Sequence, residues 1–176
     1  MNVTKDDKVD ELDLEILKIL SIDGRKNKST IAEDLKRSPN TIIKHVKDLE
    51  KDGIIKSYGI QIDYEKLGYE IIAIIEITVS KGKMFEVEEK IAQNPNVYGV
   101  YDLTGTYDAL ILARFKTRAE LSEMIKEDIH ASPFVERTNT HIVLNIIKEK
   151  SSLAELITKE DENKKLLEIN QIKSEL

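Results

Sequence analysis

Residues 38–53 read SPNTIIKHVKDLEKDG. Ser38 is a helix-capping residue type, and Pro39 suits the first helical position, where a missing N–H leaves nothing unsatisfied. Gly53 suits the far end. The stretch therefore reads as a helix with both ends marked. With Ile42 at zero and a helical advance of about 100° per residue, Leu49, Val46 and Ile43 fall at about −20°, 40° and 100° and form one apolar stripe. Lys44 falls at about 200°, almost opposite, flanked by Asn40, Lys47 and Thr41 at about 160°, 140° and 260°, with His45 at the margin at about 300°. Hydrogen-bonding and cationic groups occupy the outward side of the first half. The acidic groups Asp48, Glu50 and Asp52 come later.

Working outward, Asp13 to Ile22 reads as a preceding helix, with Asp13 as its cap, Ile16, Leu17 and Leu20 as its stripe and Gly24 as its stop. Thr30 and Glu33 have capping-box spacing and open a short middle helix whose apolar side is Ile31, Ala32 and Leu35. Three helices with so short a joint before the last outline a helix-turn-helix. Downstream, IIKSYGIQID (54–63) reads as a short β-hairpin or wing. In such a unit the early residues of the last helix reach base edges. Asn40, Thr41 and Lys44 are the expected base readers, since Asn pairs bidentately with adenine and Lys reaches guanine. Arg37, Ser38 and Lys47, with the Lys26/Lys28 segment, are the expected phosphate holders, and His45 stands at the margin of this surface. A solvated face of mixed charge is the plain alternative. The capped helices, the Ser-Pro turn, the wing and a local excess of basic residues favour DNA docking.

That excess is hidden in the whole chain. The 176 residues carry a net charge of −6, which speaks against nucleic acid as a partner. Yet residues 25–47 hold seven basic groups against two acidic ones. A basic patch on an acidic protein binds phosphate locally while the remainder repels it. There are no cysteines, which excludes disulfides and thiolate metal sites. The acidic N-terminus has no apolar stretch of signal length, and the longest apolar run, Ile71 to Ile75, is too short to span a membrane. The expected localisation is cytoplasmic.

From Glu70 on, the periodicity alternates. IIAIIEITV is a strand, and Glu86 to Gln93 is a helix ended by Asn94-Pro95. VYGVYDL is a strand, TGT a tight turn and YDALILARF another strand. Thr117 and Glu120 open a second capped helix carrying Leu121, Ile125 and Ile129, stopped at Ser132-Pro133. Val135 to Ile147 is the last strand. The order β-α-β-β-α-β is the ferredoxin-like arrangement. The fold class is α+β, with a winged helix-turn-helix at residues 10–62, a linker at 63–69, a ferredoxin-like domain at 70–149 and a charged helical or disordered tail at 150–176. In the tail, Leu166, Ile169, Ile172 and Leu176 fall near a helical stripe.

No catalytic constellation emerges. His45, His130 and His141 show no metal-ligand spacing, and there is no P-loop, nucleophile elbow or dinucleotide fingerprint. Neither a catalytic residue, a metal nor a cofactor is expected.

With these residues in place, the chain resembles the Lrp/AsnC (feast/famine) family of transcriptional regulators over roughly residues 10–149. The resemblance rests on LDLEILKILSIDGR and IAEDLKRSPNTIIKHVKDLEKDGIIKSY in the first part. In the second it rests on VYGVYDLTGTYDALILARF and VERTNTHIVLNIIKE. It implies a winged helix-turn-helix joined to a RAM domain that dimerises through its sheet, often building tetramers or octamers. It also implies double-stranded DNA with a roughly palindromic operator as one partner, and an amino acid or similar small effector as another. The positions matching the family's effector site are Gly105, Thr106, Tyr107, Asp108, Thr138 and Thr140. Gly105 would let backbone N–H groups approach a carboxylate, Asp108 would receive an ammonium, and the threonines would offer hydroxyls. By residue type alone, TGTYD reads as a hairpin turn and the threonines as ordinary strand residues. The alternative is a siroheme-decarboxylase-like enzyme on the same two-domain fold, with Arg114, Arg137, His141 and Tyr107 gathered in one pocket. The basic outward face of the third helix argues against it.

Overall fold

The computed structural model describes residues 9–80, 82–149, 153–160 and 162–163. The stripe at Leu166, Ile169, Ile172 and Leu176 lies outside them. Among the described residues the chain divides into two compact units. One runs up to Ile60 and includes the residues from Glu149 on; the other is Gln61–Lys148.

The first unit holds α1 (Glu11–Ile22), α2 (Lys28–Asp34) and α3 (Pro39–Lys51), with a further helical segment at 153–160. α1 starts two residues before the expected Asp13. Its cap is Asp10, which accepts from the Asp13 N–H at 2.8 Å, while Asp13 accepts from the Asp10 N–H at 2.9 Å. Asp13 is the reciprocal member of the capping box, not its cap. α2 also starts early. Asn27 accepts from the Ser29 N–H at 2.9 Å, so the expected Thr30/Glu33 box does not form. A cap must have extended backbone, and Asn27 has it while Lys28 and Ser29 are already helical. α3 begins as read: Ser38 accepts from the Thr41 N–H at 3.1 Å with Pro39 at the first position.

The helices bury Ile16, Leu20, Ile31, Ala32, Ile42, Val46 and Leu49. Each large side chain so buried is worth about 1.5–3 kcal/mol. The expected hairpin at 54–63 is not formed, and among the described residues no strand pairs with this segment. The Ile54 and Ile55 N–H groups bond back to the Leu49 carbonyl instead. Tyr58 then donates to Glu50 at 2.8 Å, with Lys28 over its ring at 5.7 Å.

The second unit is a four-stranded antiparallel sheet with helices on one face. Its elements are β1 (Ile71–Val79), α4 (Met84–Ala92), β2 (Val97–Asp102), β3 (Ala109–Phe115), α5 (Arg118–Met124) and β4 (Val135–Ile142), and the strand order is β2-β3-β1-β4. Ile125–His130 continues α5 as a π-turn. Alternation sorts the faces. Ala73, Ile75, Ile77 and Val79 of β1 and Ala109, Ile111, Ala113 and Phe115 of β3 bury against Val87 and Ile91 of α4 and Leu121, Met124 and Ile129. The other face carries Ile72, Ile74, Leu110 and Leu112, all half-buried.

Four boundaries differ from expectation. β2 ends at Asp102, one residue short of Leu103. α4 runs from Met84 to Ala92, not Glu86 to Gln93. β3 starts at Ala109, because the Asp108 N–H already caps the Ile77 carbonyl and Tyr107 lies in the turn. β4 ends at Ile142 instead of Ile147. The Val143 N–H bonds the Ile72 carbonyl, and one residue further β1 ends, so Leu144, Ile146 and Ile147 have no strand to pair with. Ile147 is 93% exposed.

Candidate nucleic-acid interface

α3 presents Asn40, Lys44 and Lys47 to solvent, and Arg37 and Ser38 are exposed where the chain enters it. Arg37, Lys44 and Lys47 make no ion pair among the described residues. Arg37 lies just before the N-terminus of α3, where the N–H dipoles add to its charge. Thr41 is half-buried, and its hydroxyl lies 2.8 Å from that of Ser38. Each hydroxyl keeps further acceptor capacity.

Two expected members sit differently. His45 turns away from the ridge: its Nδ1 lies 2.7 Å from the Asp13 carboxylate on α1, and its side chain is 23% exposed. Its place is between helices, not on the outward face. Lys28 is half-buried over Tyr58, and its neighbour Lys26 is paired with Asp34 at 2.7 Å. The Lys26/Lys28 segment thus offers less free charge than its composition suggests. Conversely, Ile43 belongs to the apolar stripe of α3 by its sequence position but is 38% exposed. It lies one turn from both Asn40 and Lys47, an apolar surface on the margin of a polar ridge. Its position near 100° on the wheel was the available signal, since a stripe that wide exceeds what two neighbouring helices cover.

In the second unit, the β2–β3 turn is shaped by Gly105, with φ 136° in the region that favours glycine. The Leu103 N–H donates to the Asp108 carbonyl at 2.7 Å, and the Asp108 carboxylate accepts from the Val79 N–H at 2.8 Å. One Asp108 oxygen thus fastens the turn to the end of β1, beside the register shift at Thr78/Val79. Across β1, Thr138 pairs with Ile77 and Thr140 with Ile75, on the helix-covered side. The sheet brings Gly105, Thr106, Tyr107 and Asp108 to the same end as Thr138. Thr140 lies two pairs inward.

The four residues of the enzyme alternative are not gathered. Arg114 is opposite Ile72, His141 opposite Ile74 and Arg137 opposite Thr78, a spread of about 20 Å along β1. The Arg114 guanidinium lies over the ring of Tyr98 at 4.0 Å and over that of Tyr64 at 4.5 Å. His141 is held with Asn139 and Glu76, at 2.8 and 3.3 Å.

Comparison with known proteins agrees with these two units. Residues 9–56 match the winged helix-turn-helix DNA-binding family and residues 72–153 the Lrp/AsnC ligand binding domain. An uncharacterized HTH-type transcriptional regulator of Pyrococcus horikoshii is 40% identical over 141 residues, covering 80% of this chain and 95% of the relative. The HTH-type transcriptional regulator FL11 of the same organism is 37% identical over 145 residues, covering 82% and 95%. Among solved structures, AsnC of E. coli superposes with a TM-score of 0.78 at 25% identity, covering 82% of this chain and 98% of that one. A transcriptional regulator from Neisseria meningitidis, solved as a complex with L-Met, gives 0.75 at 25% identity, covering 82% and 95%. These relatives are named as regulators, which sets the enzyme alternative aside. The chain belongs to the Lrp/AsnC family of DNA-binding transcriptional regulators.

Proposed function

We propose that this regulator reads a specific DNA sequence through the first half of α3 and that a small amino-acid-type effector bound to the second unit modulates that reading. The observation that carries it is the exposed set Arg37, Lys44 and Lys47 around Asn40, without an ion pair among the described residues. Asn40 and Lys44 face base edges, with Thr41 contributing its hydroxyl and the exposed Ile43 offering an apolar surface to a thymine methyl. Arg37, Ser38 and Lys47 hold phosphates, with Lys28 as a lesser contributor.

The effector belongs at the end of the sheet where the Gly105–Asp108 turn and Thr138 converge. The L-Met complex of the Neisseria relative makes methionine the first candidate. The helix-free sheet face, with Ile72, Ile74, Leu110 and Leu112, supports pairing of two copies. A symmetric pair presents two α3 helices, so the operator is roughly palindromic. The site of action is the cytoplasm, where the DNA is; no helix among the described residues is long and apolar enough to cross a membrane.

Selection of binding sites from a random DNA pool, followed by salt titration and repetition with each amino acid present, tests this. A roughly palindromic consensus whose affinity falls with salt and shifts with one amino acid supports the reading. Recovery of no consensus overturns it.

A further inference from the structure

We infer that the Asp13–His45 pair is the positioning element of DNA reading, holding α3 at the roll angle its base contacts require without touching DNA itself. The inference rests on the proposed sequence-specific function. Asp13 is buried at 7% exposure, the single buried charged or polar residue among those described, and it lies on α1, 32 residues from His45. It is immobilised from two sides. Its N–H donates to Asp10, and one of its oxygens accepts from the Asp10 N–H. Its other oxygen meets His45 Nδ1 at 2.7 Å. An ionised carboxylate only accepts, so Nδ1 carries the proton and donates.

Otherwise α1 and α3 meet through apolar side chains, Ile16 and Leu20 against Ile42, Val46 and Leu49. Such contact sets the spacing of two helices but is non-directional and tolerates small rotations. A short, charge-assisted hydrogen bond to a fixed carboxylate does not. A roll of about 10° moves a side-chain tip by about 1 Å at about 6 Å from the helix axis. That shift spoils a bidentate base contact at Asn40 but leaves a lysine's reach to phosphate intact. His45 sits one turn after Thr41 and directly after Lys44, so the bond acts at the level of the reading residues. Asp10, Asp13 and His45 place ligand-type atoms within 4.8 Å of one another. The capping box and the Asp13–His45 bond already account for that closeness.

The test compares wild type, His45→Ala, His45→Asn, His45→Gln and Asn27→Ala. DNA selected by the wild type is weighed against mixed-sequence DNA. Asparagine carries an amide at the Nδ1 position, whereas glutamine moves it away while keeping bulk. Asn27→Ala removes the cap of α2 and serves as a control that loses stability without touching the pair.

The expected result is that His45→Ala and His45→Gln lower the selected-to-mixed affinity ratio by about tenfold, the scale of one lost base contact, with mixed-sequence affinity unchanged. His45→Asn restores most of the ratio, and Asn27→Ala lowers the melting temperature with the ratio intact. The inference is overturned if the ratio survives in His45→Ala and His45→Gln, or if asparagine rescues nothing. It is equally overturned if both affinities fall together, which would make His45 a phosphate contact. Failure of the wild type to select any sequence would instead sink the proposed function.

Discussion

Lys36 and Gly53 hold the same left-handed backbone conformation at the ends of consecutive helices, with φ 52° and 72°. The hydrogen bonds match as well. After α2, Lys36 N–H reaches Glu33 and Arg37 N–H reaches Ala32; after α3, Gly53 N–H reaches Glu50 and Ile54 N–H reaches Leu49. Both are Schellman closures. Only the second has the residue that adopts this conformation without strain. Lys36→Gly is therefore expected to stabilise the unit by up to about 1 kcal/mol, the left-handed strain relieved less the entropy glycine adds to the unfolded chain. A Cβ at Gly53 would meet nothing within 4 Å, so Gly53→Ala reports backbone strain alone and should cost about 1 kcal/mol. Denaturant unfolding measures both.

Tyr58 gives an alkaline signature. Burial, then its hydrogen bond to Glu50 and that group's charge, push its hydroxyl up to about 12. The folded form therefore holds this proton more tightly than the unfolded chain does. Its contribution is complete below the unfolded value of about 10 and is lost as pH rises toward the folded value. Tyr58→Phe should flatten the fall in stability across that window and leave the pH dependence below it unchanged.

Glu88 titrates with the opposite consequence for neutral pH. Its carboxyl is raised by burial and by the charge of Asp102, and Oε1 is buried without a hydrogen-bond partner among the described residues. With the folded value above the unfolded one, ionisation is the unfavourable event, so stability declines as pH rises through the folded value. Glu88→Gln should raise the melting temperature at neutral pH. The gain should vanish once pH falls below the ordinary carboxylate range, where both proteins are uncharged at this position.

Arg114 clamps the chain that leads into β1. It stacks on Tyr64 and Tyr98, while Lys116 lies over Tyr69 at 4.9 Å and Tyr64 meets Tyr69 edge-on at 6.0 Å. An exposed cation–π contact is worth about 0.5–1 kcal/mol. Arg114→Ala should therefore release residues 63–69, seen as faster tryptic cleavage after Lys66. Arg114→Lys should rescue little, because an ammonium does not stack on aromatic rings as a planar guanidinium does.

The outward face of α3 divides by salt. Lys47→Ala or Arg37→Ala should reduce the slope of log affinity against log salt by about one unit for all sequences. Asn40→Ala should leave the slope alone and cost about 1–3 kcal/mol at one operator position. A footprinted salt titration on selected and mixed DNA separates the two behaviours.

What the sequence determined by itself was set by neighbours along the chain, although the caps of α1 and α2, equally local, fell on Asp10 and Asn27 and not on the residues first read as caps. Ser38-Pro39 and Gly53 marked α3 because caps act within one turn, and the β-α-β-β-α-β order was legible because a buried face repeats every second or every third to fourth residue. The ridge at Asn40, Lys44 and Lys47 followed from helical geometry alone. Tertiary structure decided the rest, because the deciding partners are distant. Asp13 drew His45 out of that ridge from 32 residues away. The length of β1 ended β4 at Ile142, whatever strand preference Leu144 to Ile147 carry. IIKSYGIQID found no strand to pair with, since a strand exists only where a second one supplies its hydrogen bonds. Ile43 stayed in solvent because the core of three short helices covers a narrower stripe than its own sequence paints.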